Sequence, residues 1–124
     1  MFSLSRFSIG QAGPAANSKL NVACIGIGNR GWSAVSELMK DPRVNIVTVC
    51  DVDQALVHGT YKKAAEMKKS SELTCAELAT VPFFADYREM FTRLSDKFDA
   101  VTVSTPDHHH YPAAMMAIQR GKHV

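Results

Sequence analysis

The stretch that most constrains this chain is residues 20–31, LNVACIGIGNRG, where an apolar run ends in glycines at positions 26, 28 and 31. Val22-Ala23-Cys24-Ile25 is continuous and apolar, as in a parallel strand covered on both faces. Trp32, Val35, Leu38 and Met39 follow three to four residues apart, an apolar stripe on a helix that Asp41-Pro42 closes. A strand that turns through glycines into a helix points backbone amides and the positive helix end at an anion. Gly26 permits the tight turn, Gly28 lets amides approach a pyrophosphate with no side chain between, and Gly31 lets the helix pack closely on the strand. Taken alone, such a pattern also fits a glycine turn that holds no ligand.

The second half of the fingerprint decides between these. Val44-Asn45-Ile46-Val47-Thr48-Val49-Cys50 reads as another buried, β-branched strand, and it ends in Asp51, twenty residues past Gly31. A carboxylate there can accept hydrogen bonds from the 2′- and 3′-hydroxyls of an adenosine ribose and would repel a 2′-phosphate. Val52-Asp53-Gln54 contains no arginine to accommodate that phosphate, so the pattern favours NAD over NADP. Asp53 is expected to cap the next helix.

That helix is expected over residues 53–69, with Leu56, Val57, Ala64 and Met67 apolar and Gly59 a weak point. A connector over 70–81 follows, with a helical turn around 76–79. Pro82-Phe83-Phe84-Ala85 is a short strand with Pro at its start. Asp86 and Glu89 have capping-box spacing, and Met90, Phe91 and Leu94 form the buried side of a short helix. Ala100-Val101-Thr102-Val103 is a fourth strand leading into Ser104-Thr105-Pro106. A helix over 112–118 has Pro112 in its first turn and Gly121 as its stop, and Lys122-His123-Val124 enters a fifth strand. The order β-α-β-α-β-α-β calls for an α/β fold, a Rossmann-type doubly wound parallel sheet with right-handed crossovers, incomplete at its C-terminal end. Ligands of such sheets bind at the carboxyl ends of the strands, which sets the glycines, Asp51 and the segment from Ser104 to Asp107 along one edge.

A length of 124 residues suits one domain, and residues 19–124 read as a dinucleotide-binding domain from which a substrate domain is absent. Residues 1–18, small, polar and Gly/Pro-containing, read as a disordered leader. An export signal is the alternative, but Ser and Arg6 break the apolar portion, there is no twin arginine, and only Ala15-Ala16 resembles a cleavage site. Cys24, Cys50 and Cys75, an odd count without framework spacing, suggest reduced thiols and a cytoplasmic setting. Fourteen Lys plus Arg against twelve Asp plus Glu leave +2, too little to argue for nucleic acid, and Lys62, Lys63, Lys68 and Lys69 read as a solvated helix face. No apolar run approaches the ~20 residues of a membrane span.

Asp107-His108-His109-His110 carries potential ligands for zinc or iron, but consecutive side chains project in different directions and His58 and His123 are isolated, so no metal site is expected. His108 or His110 could serve as a general base. Trp32 and the Met115-Met116 pair read as core or domain-contact residues.

The residues from 19 to 124 resemble the N-terminal domain of the glucose-fructose oxidoreductase / inositol dehydrogenase family, Gfo/Idh/MocA. The resemblance lies in Gly26-Ile27-Gly28-Asn29-Arg30-Gly31, Cys50-Asp51-Val52-Asp53, Asp86-Tyr87-Arg88-Glu89-Met90, Ser104-Thr105-Pro106-Asp107-His108-His109-His110 and Gly121-Lys122-His123-Val124, in that order. It implies a nicotinamide-dependent oxidoreductase acting on a sugar, polyol or related hydroxy compound, and is compatible with a homo-oligomer in the full-length protein. It also implies that Thr105 and Pro106, after Ser104, contact the dinucleotide, while Asp107 and His110 set the loop near the nicotinamide side. In relatives the fifth strand continues into a Glu-Lys-Pro motif whose lysine assists hydride transfer, and a second domain supplies the substrate pocket. Catalytic residues are therefore expected beyond Val124, and this chain alone is expected to be inactive. Two alternatives stand beside this: an NAD-dependent glycosidase of the same fold, an exception to the two-carboxylate scheme, and a non-catalytic nucleotide-binding module.

Overall fold

In a computed structural model, which describes residues 19–66 and 77–124, the apolar run at the start becomes the central strand. This is β1 (Leu20–Ile25), flanked by β2 (Val44–Cys50) and β4 (Ala100–Val103), with β3 (Phe83–Phe84) beyond β2. The order is β3-β2-β1-β4 and every pairing is parallel. The intervening helices are α1 (Arg30–Leu38), α2 (Gln54–Glu66), α3 (Tyr87–Leu94) and α4 (Asp107–Gln119). The leader and the expected helix end and connector at 67–76 lie outside the described residues; residues 77–80 are helical, as the sequence suggested for the end of the connector.

The reason β1 is apolar from Val22 to Ile25 lies in its two covered faces. Val22 and Cys24 pack with Val35 of α1 and with Val57 and Tyr61 of α2, and Leu78 seals that side. Ala23 and Ile25 face the other way, onto Met90 and Phe91 of α3 and Ala113 and Ala117 of α4. Trp32 is half-buried against the first of these cores and Met116 packs on the second, so both serve as packing residues.

Two details fix the register. Val22 pairs with Ile46 and Ala23 with Thr48, so Val47 is an extra residue and β2 carries a bulge there. Thr48, fully buried, donates its hydroxyl to the Pro82 carbonyl at 2.8 Å, and the same carbonyl accepts the Val49 N–H at 3.1 Å. The chain thus reaches β3 directly after proline, where the missing N–H costs nothing.

At the far edge, the Val101 N–H donates to the His123 carbonyl at 2.9 Å and the His123 N–H to the Asp99 carbonyl at 3.1 Å, a single parallel bridge beside β4 where the sequence suggested the entry to a fifth strand. No helix among the described residues is long and apolar enough to cross a membrane.

Two sequence expectations are corrected. The last helix begins at Asp107 and not at Pro112, so proline sits in its sixth position and His108 to His110 lie in the helix. The start is set by Pro106, whose extended ψ of 152° halts the preceding chain, and by the His109 N–H bonding to the Pro106 carbonyl at 2.8 Å. The helix does stop at Gly121: the Gly121 N–H bonds to the Ile118 carbonyl and the Lys122 N–H to the Ala117 carbonyl, with Gly121 at φ 71°, a Schellman ending. The capping box at α3 is half formed. Asp86 accepts the Arg88 N–H at 2.8 Å as an N-cap, but Glu89 turns to Arg93 at 3.2 Å instead of reaching back.

Candidate functional site

The carboxyl ends of β1, β2 and β4 meet at the glycine loop. Gly26 has φ 76°, open to glycine at little cost, and a Cβ there would stand 2.7 Å from the Ser104 carbonyl carbon and 2.9 Å from the Thr105 nitrogen. The β1 and β4 loops therefore lie directly against each other, held also by the Ser104 N–H donating to the Ile25 carbonyl at 2.8 Å. A Cβ on Gly31 would overlap the Gly26 carbonyl oxygen, so this glycine lets α1 start against the strand it follows.

Between these glycines the backbone makes a turn from Gly28 to Gly31, closed by the Gly31 N–H to the Gly28 carbonyl at 3.0 Å. Asn29 occupies its second position at φ 47°, ψ −108°, close to the type II′ geometry that glycine favours. The N–H groups of Asn29 and Arg30 find no acceptor among the described residues. The first turn of α1 carries no acid, and the exposed side chain of Arg30 adds a positive charge. This end of the helix presents donors and positive potential outward.

The amides before them are already used. Asp51 Oδ2 accepts the N–H groups of Ile27 and Gly28, each at 2.9 Å, while its Oδ1 accepts the Asp53 N–H at 3.0 Å. A carboxylate offers roughly four acceptor positions, so about one stays open, on Oδ1. Asp53 caps α2 as the sequence suggested, accepting the Leu56 N–H at 2.8 Å. Ile27, wholly buried, supports the loop from beneath, since its side chain lies in the core and its amide serves Asp51. The Cys50 thiol, just inside, is pushed up to about 12, first by burial and then by the charges of Asp51 and Asp86.

On the β4 side, Thr105 Oγ1 is buried without a hydrogen-bond partner among the described residues. An orphaned hydroxyl beside a glycine cradle is what a polar ligand would satisfy. Pro106 holds the N-cap position of α4, and Asp107 and His110 stand exposed in the first turns of that helix. His109, between them, is half-buried with its ring edge-on to Tyr87 at 5.6 Å and to His108 at 5.7 Å. The three imidazoles thus fan around a helix. Among the described residues no group of three or more His, Cys, Asp or Glu is placed to hold a metal ion.

Sequence reasoning located the loop, the acid and the β4 turn, and all three meet at one edge. It did not foresee Leu56 over the loop, whose side chain would lie 2.9 Å from a Cβ at Gly28, or the contact of Tyr87 with His109. Leu56 was visible only as an apolar helix residue, and nothing in spacing distinguishes such a residue over a loop from one in the core.

The chain is 32% identical over 107 residues to an alpha-N-acetylgalactosaminidase of Shewanella oneidensis, a match covering 85% of this chain and 21% of that protein. Its fold superposes on scyllo-inositol dehydrogenase of Lactobacillus casei, solved with NAD(H) and scyllo-inositol, with a TM-score of 0.65 at 19% identity over 86% of this chain and 27% of the other. It also superposes on GenD2 from gentamicin A biosynthesis, solved with NAD, with a TM-score of 0.61 at 25% identity over 85% of this chain and 25% of the other. The chain thus spans about a fifth to a quarter of the length of these relatives. Residues 20–124 match the profile of the oxidoreductase family with an NAD-binding Rossmann fold, and the chain belongs to that family, Gfo/Idh/MocA.

Proposed function

We propose that this chain is the NAD-binding part of an oxidoreductase that moves a hydride to or from a sugar, polyol or related hydroxy compound. What carries the proposal is the division of amides in the glycine loop: two are bound to Asp51, and the next two, Asn29 and Arg30, are open at a helix end that carries no acid. In this reading the open amides hold the diphosphate, the free position of Asp51 Oδ1 takes a ribose hydroxyl, and Thr105 Oγ1 finds its missing partner in the dinucleotide. Ser104 and Pro106 fix that turn against the loop, and Asp107 and His110 lie toward the nicotinamide side. The bound nicotinamide would supply hydride exchange; the residues of this chain bind, orient and exclude water.

NAD is expected to be preferred over NADP, since a 2′-phosphate would meet the Asp51 carboxylate. Calorimetric titration of both nucleotides into a full-length version tests this, with the 124-residue chain alone binding more weakly because, among the described residues, the outer edge of β4 is paired only at His123. Equal affinity for the two, or a preference for NADP, overturns the assignment.

A second reading has a specific observation behind it, the 32% identity to an alpha-N-acetylgalactosaminidase. In that case the hydride would be removed and returned within one turnover. Cleavage of an aryl glycoside by the full-length protein, dependent on NAD and without accumulated NADH, would favour it; net NADH formation from a polyol would favour the dehydrogenase. The acid/base and lysine of either reaction are proposed to lie outside these 124 residues.

A further inference from the structure

We infer that Asp51 builds the phosphate cradle as well as reading the ribose: its carboxylate is the clasp that holds the β1–α1 loop to the β2–α2 loop. Three N–H groups converge on it, those of Ile27 and Gly28 on Oδ2 and that of Asp53 on Oδ1, at 2.9, 2.9 and 3.0 Å. The first two belong to the glycine loop. The third belongs to the residue that caps α2, through the Leu56 N–H at 2.8 Å. No other side chain among the described residues accepts from the Ile27 or Gly28 amides, and the backbone ladder ends just before them, with the Gly26 N–H on the Cys50 carbonyl at 2.8 Å. Among the described residues, the loop's hydrogen bonds to the β2 side beyond Gly26 therefore all run through Asp51, while the Ile27 side chain packs in the core beneath it.

The consequence runs one residue further. With Ile27 and Gly28 tied down, the turn that follows has a fixed origin, and Asn29 is kept at a φ of 47° that a non-glycine residue avoids. That turn aims the open amides of Asn29 and Arg30. Charge-assisted bonds from amides to a carboxylate are the stronger kind, so their loss would free the loop and misplace the diphosphate donors even where no ribose hydroxyl is present. Asp51 is thus a positioning residue for the phosphates, distinct from any contact it makes with the sugar.

The test separates the two roles with Asp51→Ala and Asp51→Asn in the 124-residue chain. Amide hydrogen exchange, read residue by residue without nucleotide, is expected to speed up about tenfold or more at Ile27 and Gly28 in Asp51→Ala while Gly26 stays protected. Asp51→Asn is expected to keep protection at both, since its amide oxygen can still accept. Protection unchanged in Asp51→Ala overturns the clasp. Should Asp51→Ala lose protection at Gly26 as well, and so unfold, Asp51→Leu, close in size and without an acceptor, decides: loss at Ile27 and Gly28 with Gly26 still protected supports the clasp, and unchanged protection overturns it.

A second arm rests on the NAD reading and uses the full-length protein with ADP and 2′,3′-dideoxy-ADP as probes. Asp51→Ala should weaken the dideoxy nucleotide about tenfold, although it has no hydroxyl to lose. A loss confined to ADP would limit Asp51 to the sugar. If the full-length parent binds neither probe, the cofactor assignment fails while the exchange arm still judges the clasp.

Discussion

Gly31 and Asn29 sit two residues apart and face opposite steric demands. A Cβ on Gly31 would occupy the place of the Gly26 carbonyl oxygen, and that oxygen belongs to backbone with the Ser104 loop packed behind it. Gly31→Ala is therefore expected to cost about 3 kcal/mol or more in urea unfolding, at the severe end for a single methyl. Asn29 is the converse. It holds φ 47° with no capping hydrogen bond from its side chain, so glycine would relieve strain and forfeit no bond. Asn29→Gly is expected to stabilise by about 1 kcal/mol, net of the greater freedom of glycine in the unfolded chain. A fall in the urea midpoint would show that the asparagine side chain holds the turn in some other way. The third glycine of the fingerprint could be read from sequence because its requirement is steric and local. The grip of Asp51 on the loop could not, since spacing records that an acid ends β2 but not which amides its oxygens meet.

At the scale of elements, α4 shows where sequence signals compete. Proline at position 112 is a helix-start signal, and it outweighed the polar tract before it, which by composition reads as loop. The chain instead begins the helix at Asp107. Ala113 and Ala117 still pack wholly buried on β4, so the buried face was legible although the start was not. Pro112, in the sixth position, cannot donate to the His108 carbonyl, and its ring crowds that turn. Pro112→Ala is expected to restore the bond and raise stability by about 1 kcal/mol, with slower exchange at the neighbouring amides. The strands were read more faithfully than the helix starts, because β1 and β2 lie between two helical layers and their apolar runs have no other explanation. At α3 the cap was legible and its reciprocal half was not: the Arg88 guanidinium binds both Asp86 oxygens, and Glu89 has Arg93 within reach one turn on.

At the scale of the whole molecule, the two buried thiols lie in different cores, Cys24 on the α1–α2 side and Cys50 on the α3–α4 side. Burial pushes Cys24 up to about 11, offset in part by its hydrogen bond to Thr102, and raises Cys50 to about 12, both from an ordinary 9.0. A thiol whose folded value is raised contributes stability that is whole below pH 9 and is lost as pH rises from there through the folded values, because the unfolded chain ionises first. Each such thiol removes about 1.4 kcal/mol per pH unit within its window. Urea unfolding followed from pH 8 to 10.5 is thus expected to show a steeper decline in the parent than in Cys24→Ala/Cys50→Ala; lysines and tyrosines titrate in both, so the difference belongs to the thiols. The same pair reports whether the two cores open together. They share β1, whose Val22 and Cys24 face one and whose Ala23 and Ile25 face the other, and neither layer can leave without exposing the strand between them. Iodoacetamide at pH 8, with the sites located by mass spectrometry, should therefore modify Cys24 and Cys50 at one common slow rate, which rises in parallel with added urea. Faster modification of Cys50 alone would mean that the α3–α4 layer detaches independently and that the sheet is two cooperative units joined at β1.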